Sequence, residues 1–234
     1  MKKKRADRII DLPELRNRIG VFHDRASAGR VLAGLLEKYK ESNAIVLAIP
    51  AGGIAVGSVI AEELNLPLDV AAVSKITLPW NTEAGYGAVA FDSTVLLNEE
   101  LLPRIHLTRD EIEQGIKKTG EKVARRMKLL RGEKLLPDLK RPVILVDDGL
   151  ASGFTLRTAI EALRKQGCEK IILAVPTAHL ETLQDIAKKV EATYCPNTRS
   201  GLSFAVADAY EDWRDLDEDE VLQILDEFKT RSSQ

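Results

Sequence analysis

Cysteine is nearly missing from this chain: only Cys168 and Cys195 occur in 234 residues. Two thiols so placed form no spaced metal-ligand set, and a disulfide scaffold is not expected at this size. Histidine is almost as scarce. His23, His106 and His179 are far apart and lack metal-ligand spacing, which argues against a structural zinc site. No apolar run is long enough to span a bilayer, so no membrane partner is expected. The basic start Met1-Lys2-Lys3-Lys4-Arg5 is followed by Asp7 and Asp11, where a secretory signal needs an apolar stretch. A cytoplasmic location is the expectation. Excess charge is also missing. Lys plus Arg total 34 against 36 Asp plus Glu, a net charge of -2. No general field attracts nucleic acid, so such a partner is not expected, and an anionic ligand would need local donors.

Hydrophobic residues make up 44% of the chain, enough for one large domain with a real core. Short apolar runs alternate with longer amphipathic ones. The pattern predicts helices over 26–38, 54–64, 108–131, 154–165, 179–188 and 217–228. It predicts strands over 44–49, 68–74, 143–146, 171–175 and 190–194, with shorter ones at 88–91 and 94–97. Residues 75–87, with Pro79, Gly85 and Gly87, read as a long loop or hairpin. Wholly apolar strands alternating with helices imply an α/β fold, a mostly parallel sheet with helices on both faces. Residues 1–19 read as an N-terminal extension. Residues 20–205 read as the core, with a helical insertion near 101–135, and 206–234 as a C-terminal helical segment.

Chemistry concentrates in Val143-Ile144-Leu145-Val146-Asp147-Asp148-Gly149-Leu150-Ala151-Ser152-Gly153-Phe154-Thr155. An apolar strand delivers two adjacent carboxylates to the sheet edge, small residues make a turn, and a helix begins. The helix start leaves N–H groups open to a phosphate, and Ser152 and Thr155 add hydroxyls. Asp147 and Asp148 suit sugar hydroxyls or hydrated magnesium. A plain turn, with Ser152 or Thr155 capping the helix, would explain one hydroxyl but not the paired carboxylates. A second glycine turn, Pro50-Ala51-Gly52-Gly53, also ends a strand and lets backbone N–H groups approach an anion closely.

The thirteen-residue segment resembles the signature of type I phosphoribosyltransferases. Further segments are similar to a group of bacterial phosphoribosyltransferase-like proteins of unassigned substrate: Phe22-His23-Asp24-Arg25, Ala28-Gly29, Leu32-Ala33, residues 48–56, Leu68-Asp69-Val70, Lys75 with Glu83, Gly87-Ala88-Val89, and Tyr210 to Val221. The likeness covers most of residues 20–225. It implies a type I phosphoribosyltransferase-like core with a small hood, which the 108–131 helix would help to form. It implies a ligand, 5-phosphoribosyl-1-pyrophosphate, a planar acceptor such as a nucleobase, a magnesium ion and a homodimer. Asp147 and Asp148 would hold the ribose hydroxyls, in part with magnesium. Ala151, Ser152, Gly153, Phe154 and Thr155 would wrap the 5-phosphate, and Ala51, Gly52 and Gly53 the pyrophosphate.

Two departures bear on function. The group usually places arginine where this chain has Ala51, so charged bonds to pyrophosphate must come from elsewhere. Arg25, Lys75 and Arg199 are the candidates. By resemblance, Lys75 leads into the catalytic loop that shields the reaction, and Trp80 lies in that loop. Arg199 falls in a segment that often lines the base pocket. Ala151 replaces an acidic residue usual in oxopurine-using relatives, which weighs against hypoxanthine and guanine. Phe204 and Tyr210 suit core packing better than stacking on an acceptor. Two functions remain open at this point: a phosphoribosyltransferase, or a non-catalytic ribose-phosphate sensor.

Overall fold

The computed structural model describes residues 9–133, 136–201 and 203–232. The basic start at residues 1–5 and the Glu83 side chain lie outside what is described. A six-stranded parallel sheet forms the centre. It contains β1 (Ile9–Ile10), β2 (Ile45–Ala48), β3 (Leu68–Val70), β7 (Val143–Val146), β8 (Ile171–Ala174) and β10 (Ala192–Tyr194). Their order is β1-β10-β8-β7-β2-β3. The residues of β2, β7 and β8 are all buried, because helices cover both faces of a parallel sheet. One face packs on α1 (Arg25–Leu35), α2 (Gly52–Glu63), α3 (Arg109–Arg131) and α6 (Glu218–Ser232). The other packs on α4 (Phe154–Lys165) and α5 (Leu180–Ala187).

Leu145, in the middle of β7, is 0% exposed. Leu145→Ala should therefore lower stability by about 2–5 kcal/mol, because the cavity it leaves closes only in part. A urea melt with an unchanged midpoint would contradict this burial.

The strand order carries the positional information. The chain steps outward from β2 to β3, then returns to lay β7 on the other side of β2. The two central strands pair with Ala48 opposite Val146. Their carboxyl ends therefore open side by side, at the reversal of strand order where ligands settle in such sheets.

Two regions differ from the sequence reading, and a third takes one of its two alternatives. The run 68–74 is not one strand. It breaks after Val70 and changes sheet, so β3 belongs to the parallel sheet and β4 (Val73–Leu78) to an antiparallel one. From Val70 to Val73 the run has no glycine, proline or polar residue, so nothing in its pattern marks the switch. Next, residues 75–87 form a hairpin: β4 turns at Pro79 and Trp80 into β5 (Asn81–Ala90), and β6 (Val95–Leu97) completes that sheet. Finally, Ile9–Ile10 pair in parallel with β10, so part of the N-terminal extension is an edge strand of the central sheet. The 108–131 stretch is one helix, α3, lying against β4 and β5, and Arg131 at its end pairs with both Asp69 oxygens at 2.6 and 2.9 Å. No described helix is long and apolar enough to cross a membrane.

Candidate functional site

Both glycine turns begin where β2 and β7 end, and they face each other. Gly53 lies so close to β7 that an added Cβ would sit 2.9 Å from the Val146 carbonyl oxygen and 3.1 Å from Asp147 Cα. A Cβ on Gly52 would overlap the Asp148 carboxylate. Only glycine permits this approach, which explains the pair Gly52-Gly53 at the head of α2. The Pro50–Ala51 peptide is cis, and Ala51 precedes the helix without a side-chain cap.

The acidic loop is held from three sides. Asp148 N donates to Asp147 Oδ1 at 2.9 Å, which fixes the first carboxylate over the turn. Leu150 exchanges backbone bonds with Thr177 and His179, at 2.9 and 3.0 Å, and so anchors the loop on β9 (Thr177–His179). That strand pairs in parallel with β11 (Asn197–Arg199). Tyr210 Oη donates to the Asp148 carbonyl oxygen at 2.6 Å. Gly149 packs against Val206, and a Cβ there would overlap that side chain.

Arg25 is buried beneath the site. Its Nε donates to Asp148 Oδ2 at 2.9 Å, and NH1 donates to the Arg214 carbonyl at 2.8 Å. Its guanidinium lies 3.9 Å from the centre of the Trp213 ring, a cation–π contact. Of the candidate cations, the structure therefore brings Arg25 to the site, but as the partner of a carboxylate. Arg199 goes elsewhere: it donates to the Ala205 carbonyl at 3.1 Å and pairs with Asp208 at 3.0 Å, with Phe204 beside it. Lys75 lies in β4, at the cleft between the β4–β5 hairpin and α3. Trp80, at the hairpin turn, is 63% exposed.

The carboxylates titrate unusually. Burial pushes the Asp147 carboxyl well above the ordinary range, and the adjacent Asp148 charge pushes the same way. Burial also raises Asp148, but Arg25 offsets part of this. Asp148 therefore keeps its charge to lower pH than Asp147. The Asp148 side chain keeps 18% exposure, so its carboxylate remains reachable.

The loop at 151–155 leaves the start of α4 without a side-chain cap. Gly153 precedes α4 in the left-handed region, φ 77°, and no side chain caps the helix. Ser152 and Thr155 therefore do not cap it, contrary to the plain-turn reading. Elsewhere the chain caps helices readily: Asp24 with Ser27 at α1, Thr108 with Glu111 at α3, and Asp217 with Glu220 at α6. The starts of α2, α4 and α5 carry no side-chain cap; those of α2 and α4 meet at the carboxylate pair, and their leading N–H groups suit anions.

Sequence reasoning missed two residues of this site. Trp213 lies under the Arg25 guanidinium and the Tyr210 hydroxyl donates to the Asp148 carbonyl, both from a segment more than sixty positions beyond the acidic loop. The available signals were the resemblance of the Tyr210 to Val221 segment and two scarce aromatics within four residues of each other.

Comparison with known proteins adds the family. The sequence pattern of the phosphoribosyl transferase domain matches residues 23–207. Mycobacterium tuberculosis proteins from two strains, provisionally named phosphoribosyl transferases, are each 33% identical over 207 residues. That match covers 88% of this chain but 46% of theirs, so the chain spans about half the length of these relatives. The crystal structure of a Thermus thermophilus protein superposes with a TM-score of 0.69 at 27% identity, covering 88% of this chain and 98% of that one. The matched span takes in both glycine turns, Arg25 and the acidic loop, and on these grounds the chain belongs to the phosphoribosyl transferase domain family.

Proposed function

We propose that the chain transfers a phosphoribosyl group from 5-phosphoribosyl-1-pyrophosphate to a ring nitrogen of a planar acceptor such as a nucleobase. The C1–oxygen bond to pyrophosphate breaks, a C1–nitrogen bond forms, and pyrophosphate leaves. One observation carries the reading: two adjacent carboxylates stand between two uncapped helix starts at the reversal of strand order.

In this reading, Asp147 and Asp148 accept hydrogen bonds from the ribose hydroxyls. The N–H groups at 151–155, with the Ser152 and Thr155 hydroxyls, hold the 5-phosphate. The Ala51–Gly53 backbone faces the pyrophosphate. Arg25 positions Asp148. Lys75 rides on the hairpin, which closes over the sugar and keeps water out. The work is alignment and charge stabilisation rather than covalent catalysis. No group of three or more metal-binding side chains occurs among the described residues, so Asp147 and Asp148 suit a magnesium ion that also takes oxygens from ligand and water. When bound, magnesium would offset the charge of pyrophosphate. A cytoplasmic homodimer belongs to the same reading.

A specific observation favours the sensor alternative. Ala51 brings no charge to the pyrophosphate turn, and Arg25 already spends its charge on Asp148. Pyrophosphate release, measured with magnesium across a panel of nucleobases, separates the two. We expect release with at least one base and its loss in Asp147→Asn/Asp148→Asn. Saturable binding of the donor with no release for any base would overturn the transferase in favour of a sensor.

A further inference from the structure

Tyr86 lies in β5, 1% exposed, with its ring in the larger core cluster. A buried phenol normally gives its hydroxyl to a protein partner. The Tyr86 hydroxyl makes no hydrogen bond among the described residues, yet Oη is not sealed in: the one fully enclosed, unpartnered side-chain polar atom described is Thr193 Oγ1. The Tyr86 hydroxyl instead opens into a cavity of ≈ 620 Å³ between α3 and the β4–β5 hairpin. Gly115 makes room for it, since a Cβ at that position would overlap Oη. Glycine in the interior of a 23-residue helix weakens the helix. The chain accepts that loss where the hydroxyl needs the space.

The other cavity walls supply donors. Lys118 and Lys122 stand one turn apart on α3, and neither has a carboxylate at ion-pair distance among the described residues. The hydroxyl of Thr119, between them in sequence and buried, also makes no hydrogen bond among those residues. Glu111 lines the cavity too; its Oε2 accepts from Thr108 N and Oγ1 at 2.8 Å each, which ties that end of the carboxylate to the helix start. Burial holds Lys122 below its ordinary value, and Arg126 and Arg125 add to this against the opposite pull of Glu218. The cleft thus gathers Lys75, Lys118, Lys122 and the Tyr86 and Thr119 hydroxyls against a single carboxylate, an excess of donors and positive charge. Two unpaired ammonium groups match the charge of a phosphate, about -1.5 to -2 at pH 7, and its three terminal oxygens can use the hydroxyls as well. A carboxylate, with one charge and two oxygens, would leave donors unused.

We propose that this cleft is a second anion site, which takes the phosphate group of a small metabolite on Lys118, Lys122 and the Tyr86 hydroxyl. It is built from α3, β4 and β5, whereas the carboxylate site is built from the β2–α2 and β7–α4 turns.

Calorimetric titration with inorganic phosphate tests it. Tyr86→Phe should leave the melting temperature unchanged, since no protein hydrogen bond is lost, and weaken cleft binding about tenfold. Lys118→Gln/Lys122→Gln should abolish that binding. If the loop at 151–155 also binds phosphate, the native protein takes two per chain and the double-lysine variant one. A single site that vanishes with the lysines would support the cleft and count against the phosphate loop instead. No phosphate binding, or binding unchanged in both variants, overturns the proposal. Competition by ribose 5-phosphate or a nucleoside monophosphate would identify a phosphorylated metabolite as the source, and lysine-dependent binding without competition would identify free phosphate.

Discussion

Gly52→Ala should cost the protein its ribose-phosphate binding. The new methyl group would fall on the Asp148 carboxylate and lie 2.8 Å from Arg25 Nε. Neither neighbour can step aside cheaply. Asp148 is tied to Arg25, to Asp147 and, through its carbonyl, to Tyr210. Arg25 is in turn held by the Arg214 carbonyl and Trp213. Relief must come from breaking the ion pair or moving the turn away from β7. We expect destabilisation of about 1–3 kcal/mol, as for other overpacked positions. The larger loss should be in affinity for 5-phosphoribosyl-1-pyrophosphate with magnesium, on the order of a hundredfold, the equivalent of one charged hydrogen bond broken outright. Gly34→Ala is the control: it lies in α1, and a Cβ there meets nothing within 4 Å. That variant should bind normally and gain up to about 1 kcal/mol from helix propensity. Normal binding by Gly52→Ala would remove the 50–53 turn from the site.

The parts legible in the sequence were those fixed by local chemistry. Strand β7 and helix α4 have the predicted bounds, Val143–Val146 and Phe154–Lys165. Pro142 and Asp147 bracket the apolar run, and Gly153 marks where the turn must become left-handed before the helix. The paired carboxylates were legible because polar residues at the end of a buried strand need a reason. What stayed hidden was long-range. Arg25 and Asp148 are 123 positions apart, and no periodicity links them. The change of sheet between Val70 and Val73 occurs inside an unbroken apolar run, so burial on either side looks the same. The Ile9–Ile10 edge strand is too short for an alternation to register. The opening of Tyr86 toward a cavity depends on Gly115 in another element, and a tyrosine among apolar residues reads simply as core.

Asp147→Asn should make the protein more stable and less functional at once. The direction follows from the acid's raised pKa. Burial and the neighbouring Asp148 charge favour the protonated form of Asp147 in the folded state, while the unfolded chain ionises it at the ordinary value. The stability that a neutral Asp147 provides is therefore complete below the unfolded value and is lost as pH rises through the raised folded value. At neutral pH the native protein has already lost part of it. Asparagine keeps an oxygen to accept the Asp148 N–H and never carries the charge. We expect a gain of about 0.5–2 kcal/mol at pH 7, of the size seen when a strained functional residue is removed, and a flatter stability curve above pH 4. In melting temperature this is about 2–4 °C per kcal/mol for a chain of this length. Ligand binding should run the other way. A carboxylate that accepts from ribose hydroxyls works best ionised, so native affinity should fall as the solution is acidified through the raised pKa, while Asp147→Asn should be weak throughout. Asp148→Asn is the contrasting variant. It removes the partner of the buried Arg25, leaves that cation uncompensated, and should destabilise the fold. Melts and calorimetric titrations of the two variants from pH 4 to 8, without and with magnesium, read all of these effects. If Asp147→Asn melts lower than the native protein at pH 7, the buried charge is not a cost to the fold, and the stability assigned to a neutral Asp147 is wrong.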